Sequence, residues 1–324
     1  MDSTTYVGPL LLVAALFYDR LVGERPLCVH PSIIFGRILA FFDSRRSPKR
    51  HGAVQFFQGI VPLGVMASAS ICTVYVLVAI SSIEAPYAIA TVCAAAATIF
   101  LLKATFAIRS MEECTRPILD ALGKDDMENA RLYVSYIVSR PTDDLDKNEI
   151  ISATVECVGE SIVDGIVAPV SYYALFGIGG ALVYRSVNTA DSMIGYMSEK
   201  YRYYGKAAAR LDDILNFIPT RIAVIFTIIA AQASGLDVQN GLRIMWRDSK
   251  ITKSPNAGLT MALYAGLLNV RLEKKDHYSL GDEGACLTAD TVDRALALMR
   301  ATSYIYIIVC AVLMAILSLP IFTL

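Results

Sequence analysis

Three carboxylates recur at helical spacing in the segment TVECVGESIVDGIVAP. Glu156, Glu160 and Asp164 follow one another at intervals of four residues, so a helix places them on one stripe that drifts by only about 80°. Like charges at this spacing oppose helix formation, so we expect a cation on the stripe. Mg²⁺ is the simplest candidate, and an acidic face paired with lysine or arginine from elsewhere is the alternative.

A second polar segment runs from Tyr184 to Arg221 between two apolar stretches. Its arginines have the geometry to grip phosphate oxygens with paired hydrogen bonds, and its carboxylates suit a metal that bridges those phosphates. The alternative is a set of salt bridges that closes a helical hairpin. The candidate residues are Arg185, Asn188, Asp191, Ser192, Tyr196, Arg202, Arg210, Asp212, Asp213 and Asn216.

Two shorter segments also carry polar candidates. RDSKITKSPNAG ends in a turn before an apolar helix, where free N–H groups suit an anion, with Arg247 and Asn256 beside them. Many ordinary loops have the same appearance. HPSIIFGR contributes His30 and Arg37, although a lone histidine beside a proline is more often a structural turn residue.

The composition indicates a membrane setting for these residues. Of 324 residues, 55% are hydrophobic and 18% are charged, which is too apolar for a soluble domain. The 29 basic and 30 acidic residues leave a net charge of -1, which disfavours a nucleic-acid partner. The chain also lacks the GxxxxGK[ST], GxGxxG and GxSxG patterns, so nucleotide binding by a P-loop or a Rossmann turn is excluded.

Four apolar stretches can reach the length of about 20 residues that a spanning helix needs. The stretch Tyr6–Tyr18 reaches this length only by carrying Asp19 and Arg20 to the membrane interface. Two neighbours, separated by a turn around Glu84 and Pro86, are predicted to form an antiparallel hairpin. The four predicted spans are Tyr6–Tyr18, Gly52–Ile83, Ala85–Leu102 and Ala301–Leu324.

Three further apolar stretches are ambiguous, namely Gly165–Tyr184, Ile214–Leu236 and Ala257–Val270. Residues 19–51 and 103–147 each contain seven Lys or Arg, so we expect both segments on the cytoplasmic side, and the later polar segments favour the same side. We therefore predict that Gly165–Tyr184 and Ile214–Leu236 are broken or re-entrant helix pairs, which glycine and proline permit.

The predicted fold class is all-α, a polytopic integral membrane helical bundle with broken or re-entrant helices and a polar cytoplasmic helical insert. We expect residues 1–324 to form a single membrane-embedded domain. Within it, residues 103–161 are a mostly polar helical segment and residues 162–258 are a motif-rich candidate active-site region.

The block VNTADSMIGY…EKYRYYGKAAARLDD resembles the signature of adenosylcobinamide-phosphate synthases, integral membrane enzymes of cobalamin biosynthesis. The resemblance extends to TVECVGESIVDGIVAP, SPNAG, the HP…GR stretch and the SRPTDDLD loop, and so covers roughly residues 16–300. Two local departures from the family are GERP at residues 23–26 and RPT at residues 140–142. Both lie outside the strongest blocks and put local loop shape in doubt more than the reaction.

The resemblance implies amide-bond formation that joins adenosylcobyric acid, an adenosylated corrinoid, to an aminopropanol phosphate, with ATP and Mg²⁺. It implies that six carboxylates bind Mg²⁺–ATP, namely Glu156, Glu160, Asp164, Asp191, Asp212 and Asp213. All of them except Asp191 are implied metal ligands. The implied substrate-binding residues are Arg185, Asn188, Ser192, Tyr196, Arg202, Arg210, Asn216, Arg247, Asn256, His30 and Arg37.

The implied location is the cell membrane, with several passes and a cytoplasmic active site. The expected partners are the corrinoid, aminopropanol phosphate, ATP and membrane lipid, and a homo-oligomer or an association with later cobalamin-assembly enzymes is compatible with them. Two other functions stay open. One is a transporter or binding protein for a corrinoid or another amphipathic anion, and the other is a catalytically silent relative.

Overall fold

Helices dominate the computed structural model, which describes residues 7–24, 29–46, 52–82 and 87–318. Within these residues the predicted all-α membrane fold is confirmed. The strands β1 (Leu272–Lys274) and β2 (Tyr278–Leu280) pair antiparallel, with Leu272 opposite Leu280. The helices are α1 Val7–Leu21, α2 Pro31–Arg45, α3 Gly52–Ser81, α4 Tyr87–Lys103, α5 Ile108–Gly123, α6 Met127–Val134, α7 Lys147–Ile162, a π-helical turn Val163–Val167, α8 Ala168–Ile194, α9 Lys206–Ala233, α10 Val238–Asp248, α11 Ala257–Leu268 and α12 Ala289–Leu317.

Four helical stretches in the described residues are long and apolar enough to cross a membrane: Gly52–Ser81, Lys147–Ile194, Lys206–Ala233 and Ala289–Leu317. The predicted spans Gly52–Ile83 and Ala301–Leu324 correspond to α3 and α12, although residues 319–324 lie outside the described residues. A fifth candidate span arises if α4 and α5 are counted together as one. The chain is therefore a multi-pass membrane protein.

Within the described residues, the predicted span Tyr6–Tyr18 corresponds to α1, which is not among the helices long and apolar enough to cross a membrane. Helix α1 has 15 residues, which give a length of about 22 Å against the roughly 30 Å of a bilayer core. Asp19 is fully buried inside the protein, with Lys103 3.8 Å from its carboxylate. Tyr6 and the turn predicted around Glu84 and Pro86 lie outside the described residues, although α3 and α4 do pack together.

Helix α8 is broken at Gly177 and folds back on itself. Gly177 has φ 64° and ψ -161°, outside the helical region. The rings of Tyr172 and Tyr184 stack with centroids 5.3 Å apart, whereas 12 residues of straight helix would separate their Cα atoms by about 18 Å. The stretch Gly165–Tyr184 therefore contains the predicted break in the helix.

The fold-back depends on a glycine in the second arm of the hairpin. A Cβ atom on Gly180 would lie 2.5 Å from the carbonyl oxygen of Tyr172 and 2.6 Å from Cβ of Phe176. Residues eight apart come this close because the two arms of α8 lie against each other. The cluster of glycines in this segment thus has a packing reason as well as a conformational one.

We expect Gly180→Ala to destabilise the protein by about 1–3 kcal/mol, because the added methyl group overlaps the backbone of the opposite arm. Thermal unfolding in detergent measures the effect. Gly64→Ala is the matched control, since a Cβ atom at Gly64 of α3 meets nothing within 4 Å. Equal unfolding temperatures for the two variants would contradict the close approach of the arms.

Helix α9 corrects our prediction for Ile214–Leu236, because it runs unbroken from Lys206 to Ala233 and is not re-entrant. Pro219 lies inside it and has no N–H to donate to the carbonyl of Leu215. The hydroxyl of Tyr172 donates to that carbonyl instead, at 3.0 Å. The replacement bond satisfies the freed backbone group, so the helix continues through the proline.

The chain forms two compact units, each made of separate stretches. Unit 1 contains residues 1–107, 168–215 and 307–324, and unit 2 contains residues 108–167 and 216–306. In unit 1, α3 packs on α4 and α8, α1 on α4, and α2 on α8; in unit 2, α7 packs on α11 and β1, and α10 on α11. Both units contain apolar helices, so the expected single membrane-embedded domain stays a prediction.

Candidate functional site

A chain of polar contacts in unit 1 joins three of the predicted site residues. Arg185 Nη1 donates to Asn188 Oδ1 at 2.9 Å, and Asn188 Nδ2 donates to Asp212 Oδ1 at 3.3 Å. The other end of Arg185 bonds the carbonyl of Thr105, just beyond α4. Asn188 and Asp212 are 6% and 9% exposed, so this network lies inside the protein.

Helical spacing accounts for half of this network. Arg185 and Asn188 are three residues apart in the second arm of α8, which places them on one face. Asp212 comes from α9, 24 residues beyond Asn188. Asn188 therefore links the guanidinium of Arg185 to the carboxylate of Asp212 through its own amide, in a largely buried polar network.

Ser192 of α8 and Tyr196, two residues beyond the end of that helix, point their hydroxyl groups at the backbone. Ser192 Oγ donates to the carbonyl of Asn188 at 2.9 Å, and Tyr196 OH donates to the carbonyl of Ser192 at 2.6 Å. Both residues are exposed, and Asp191 and Asp213 are half-buried. Arg37, Arg202 and Arg210 are exposed as well, which leaves their guanidinium groups accessible.

His30 has a structural position. It caps α2, and its Nδ1 accepts from the amide of Ser32 at 3.3 Å. The proton is therefore on Nε2, which lies 2.8 Å from Glu24. Burial by itself raises the pKa of Glu24, but the hydrogen bonds from His30 and Lys103 outweigh it, so the pKa is lowered. These contacts support the structural alternative that the sequence left open for His30.

Glu156 of unit 2 is buried and has three donors. Its Oε2 accepts from Arg140 Nη2 at 3.0 Å and from the Tyr278 hydroxyl at 2.8 Å, and its Oε1 accepts from Ser152 at 2.8 Å. The exposed fraction of Glu156 is 5%. Burial, and then the neighbouring Glu156 carboxylate, raise the pKa of Tyr278, which keeps that hydroxyl protonated as a donor.

The predicted stripe of carboxylates is divided among three environments. Glu156 is bound to Arg140, Glu160 is exposed, and Asp164 accepts from Asn216 Nδ2 at 2.9 Å. The π-helical turn Val163–Val167 changes the angular spacing before Asp164. Among residues 7–24, 29–46, 52–82 and 87–318, no three Asp, Glu, His or Cys side chains are grouped so as to hold a metal ion.

Arg247 lies near the end of α10, in a cluster of carboxylates. It donates to both oxygens of Asp248, at 2.6 and 2.8 Å, and to Asp282 at 2.5 Å. Asp248 is 3% exposed and also accepts from the amide of Gly281 at 2.8 Å. Burial alone would raise the pKa of Asp248, but the bonds from Arg247 and Gly281 lower it. The phosphate-binding role predicted for Arg247 would have to compete with these contacts.

We expect Asp248 to give the protein a stability that falls in acid. Its folded pKa is below the unfolded value, so its contribution is complete above the unfolded pKa and disappears as pH falls through the folded pKa. Asp248→Asn should cost about 2 kcal/mol at neutral pH and flatten the acid dependence. Unfolding temperatures at several pH values test this, with exposed Asp293→Asn as control. An unchanged slope in the Asp248 variant would refute it.

The start of α11 is only partly open to an anion. Ser254 Oγ accepts from the amides of Asn256 and Ala257, at 3.3 and 3.4 Å. Asn256 itself is 5% exposed, and its Oδ1 accepts from Arg221 at 2.8 Å. The SPNAG turn therefore places Asn256 beside the guanidinium group of Arg221, which is a suitable position for a residue of a polar site.

Sequence reasoning missed the partners that hold the predicted residues. Thr105 binds Arg185, Arg140 and Tyr278 bind Glu156, and Arg221 binds Asn256. Arg140 belongs to the SRPTDDLD loop. The RPT sequence at residues 140–142, which departs from the family, was the only sequence feature that drew attention to Arg140. Tyr278 lies in the β-hairpin, a segment without a motif.

Membrane-spanning helices that carry buried networks of arginine, asparagine and carboxylate groups define a polytopic α-helical membrane protein with polar sites built into its helices. Such networks are costly in an apolar setting and are usually functional. The chain belongs to the CobD/Cbib protein family, whose model matches residues 12–299.

Curated relatives cover nearly the same length. A probable cobalamin biosynthesis protein CobD of Methanococcus maripaludis strain S2 is 39% identical over 303 residues, 92% of this chain and 95% of the relative. The cobalamin biosynthesis protein CobD of Dehalococcoides mccartyi is 37% identical over 93% of this chain and 95% of the relative. No solved structure matches the chain. The family places the chain among cobalamin biosynthesis proteins.

Proposed function

We propose that this protein forms the amide bond between adenosylcobyric acid and an aminopropanol phosphate, using ATP and Mg²⁺. The observation that carries the proposal is the buried Arg185–Asn188–Asp212 network, which lies in the segment with the synthase signature. Family membership over residues 12–299 supports it.

The chemistry has two steps. A carboxylate oxygen of the corrinoid attacks the γ-phosphorus of ATP, and ADP leaves. The amine nitrogen then attacks the acyl carbon, inorganic phosphate leaves, and an aspartate or glutamate side chain accepts the proton that the amine gives up. Both steps bring anions together, so positioned cations are the main catalytic requirement. The exposed guanidinium groups of Arg202 and Arg210 suit the phosphate oxygens.

The carboxylates fit Mg²⁺ that arrives with ATP. Mg²⁺ usually keeps several waters and is held by one or two carboxylates and substrate phosphates, so a dedicated protein cage is not required. In unit 1, Asp191 and Asp213 are half-buried, and in unit 2, Glu160 is exposed and Asp164 is half-buried. Each of these four carboxylates has exposed surface through which it could contact a hydrated ion. When bound, Mg²⁺ neutralises phosphate charge.

Product formation tests the proposal directly. Purified protein in detergent is mixed with adenosylcobyric acid, aminopropanol phosphate, ATP and Mg²⁺, and the amide product is followed by mass spectrometry together with ADP release. We expect one ADP per amide and no product without ATP or Mg²⁺. Corrinoid binding without any product, under all these conditions, would reject the ligase.

A transporter or binding protein for a corrinoid or similar anion is the second candidate. The observation in its favour is the break in α8 at Gly177, since broken helices are common at transporter binding sites. Substrate uptake into vesicles without chemical change would identify it, and ATP-dependent amide formation in detergent would argue for the ligase instead.

Arg202→Lys is expected to raise the KM for a phosphate-bearing substrate by roughly tenfold or more, because a lysine keeps the charge and loses the paired hydrogen bonds. Initial rates over a range of ATP and aminopropanol phosphate concentrations measure it. Arg45→Lys is the control, since Arg45 is exposed and bonds its own helix at Phe41. Wild-type kinetics for Arg202→Lys would exclude a paired phosphate contact.

A further inference from the structure

Unit 1 contains an apolar groove of about 600 Å³ between α3 and the hairpin of α8. Its volume is in the range of small-molecule sites. The ten residues that line it are aliphatic, aromatic or glycine, and all ten are uncharged. A ligand of this groove would therefore meet no charged side chain and would be held mainly by apolar contact.

The walls of the groove are built by the folded-back arms of α8. The stacked rings of Tyr172 and Tyr184 form one wall, with an angle of 11° between their planes. The hydroxyl of Tyr172 is already used by the carbonyl of Leu215. At the bottom, Gly179 lets α3 approach, since a Cβ atom there would lie 3.1 Å from Val74. The groove therefore presents ring faces and methyl groups.

The rim of the groove faces outward along a membrane-spanning helix. Ile71 and Tyr75 of α3 are 49% and 72% exposed, and Phe176 at the tip of the hairpin is 67% exposed. Only 17% of the most apolar part of α3 is buried inside the protein. Exposed apolar side chains on a spanning helix face the hydrocarbon core of the bilayer, and the rim of the groove includes them.

We propose that this groove binds one acyl chain of a membrane phospholipid. The chain lies against the rings of Tyr172 and Tyr184, where dispersion contacts favour it over an unfilled space. Because the hairpin forms one wall of the groove, the bound chain supports the fold-back at Gly177. This role is independent of the proposed reaction.

A soluble polar substrate fits the groove poorly. Such molecules need a few fixed polar partners for orientation, and the Tyr172 hydroxyl is engaged elsewhere. A second copy of the chain would have to insert a side chain from its own apolar surface. Cross-links between the groove and a second chain would identify that occupant.

Photolabelling tests the proposal without using enzyme activity. The protein is reconstituted in vesicles of phosphatidylcholine and phosphatidylglycerol that contain a small fraction of lipid with a diazirine on its acyl chain. After irradiation, labelled peptides are mapped by mass spectrometry. We expect labelling of residues 71–75 and 172–184 at least about fivefold above that of the exposed apolar face of α12, which includes Ile308 and Val312.

Two variants of α3 make the result specific. Ile71→Trp fills the groove and should reduce its labelling severalfold, whereas Val78→Trp, 55% exposed on the same helix and outside the groove, should leave it unchanged. Equal labelling of groove and α12, or an unaffected Ile71→Trp, overturns the proposal. Cross-links that join the groove to a second chain overturn it in favour of a dimer contact.

Native mass spectrometry of the unmodified protein gives a result that depends on no variant. We expect one phospholipid to remain on the chain after the annular lipids are stripped by detergent. If the last lipid leaves the protein at the same detergent concentration that removes the annular lipids, the result would contradict a defined groove site.

Discussion

Glu160→Gln is expected to lower the rate of amide formation by at least about a hundredfold, the usual effect of removing one group that stabilises charge in a transition state. Glu160 is exposed on α7, so exchanging its carboxylate for an amide removes charge with little change in packing. The same reasoning applies to half-buried Asp213 of α9, for which Asp213→Asn is the corresponding change.

The measurement is amide product per enzyme at a series of Mg²⁺ concentrations. Glu199→Gln and Asp293→Asn are matched controls, because both residues are exposed carboxylates without an assigned role. Circular dichroism and gel filtration must show that all four variants fold and insert. Retained turnover at saturating Mg²⁺ would remove the tested residue from the proposed ATP site.

The break in α8 could be predicted because its cause is local. Glycine tolerates a positive φ, and a cluster of glycines in an apolar stretch indicates a bend. The continuity of α9 could not be predicted in the same way. Pro219 signals a break, but the bond that compensates for it comes from Tyr172, 43 residues before Leu215. A proline therefore marks a missing donor, and the tertiary structure decides whether another donor replaces it.

The candidate site shows the same division. Arg185 and Asn188 were found together because helical spacing places them on one face. The predicted stripe of Glu156, Glu160 and Asp164 assumed a continuous α-helix and left open whether Mg²⁺ or a lysine or arginine from elsewhere balances its charge. The structure supplies a π-helical turn and two donors to Glu156 from 16 and 122 residues away. Spacing identifies which side chains are near in sequence, and packing decides which charge each one meets.

The partner of Glu156 leads to the largest stability effect that we expect. Arg140→Ala should lower the free energy of unfolding by about 3 kcal/mol, because it leaves a buried carboxylate without its cation. Tyr278 and Ser152 would still donate to that carboxylate, but both are neutral. Unfolding in detergent with increasing denaturant measures the change.

Glu156→Gln separates a structural carboxylate from a metal ligand. If the role of Glu156 is to pair with Arg140, Glu156→Gln should lower the free energy of unfolding by about 1–2 kcal/mol. Arg140→Ala should then destabilise the Gln variant much less than it destabilises the wild type. If Glu156 instead binds Mg²⁺, added Mg²⁺ should stabilise the wild type and not the Gln variant. The contacts of Glu156 with Arg140, Tyr278 and Ser152 favour the first result. A Mg²⁺-dependent difference between the two proteins would return Glu156 to the metal-binding group.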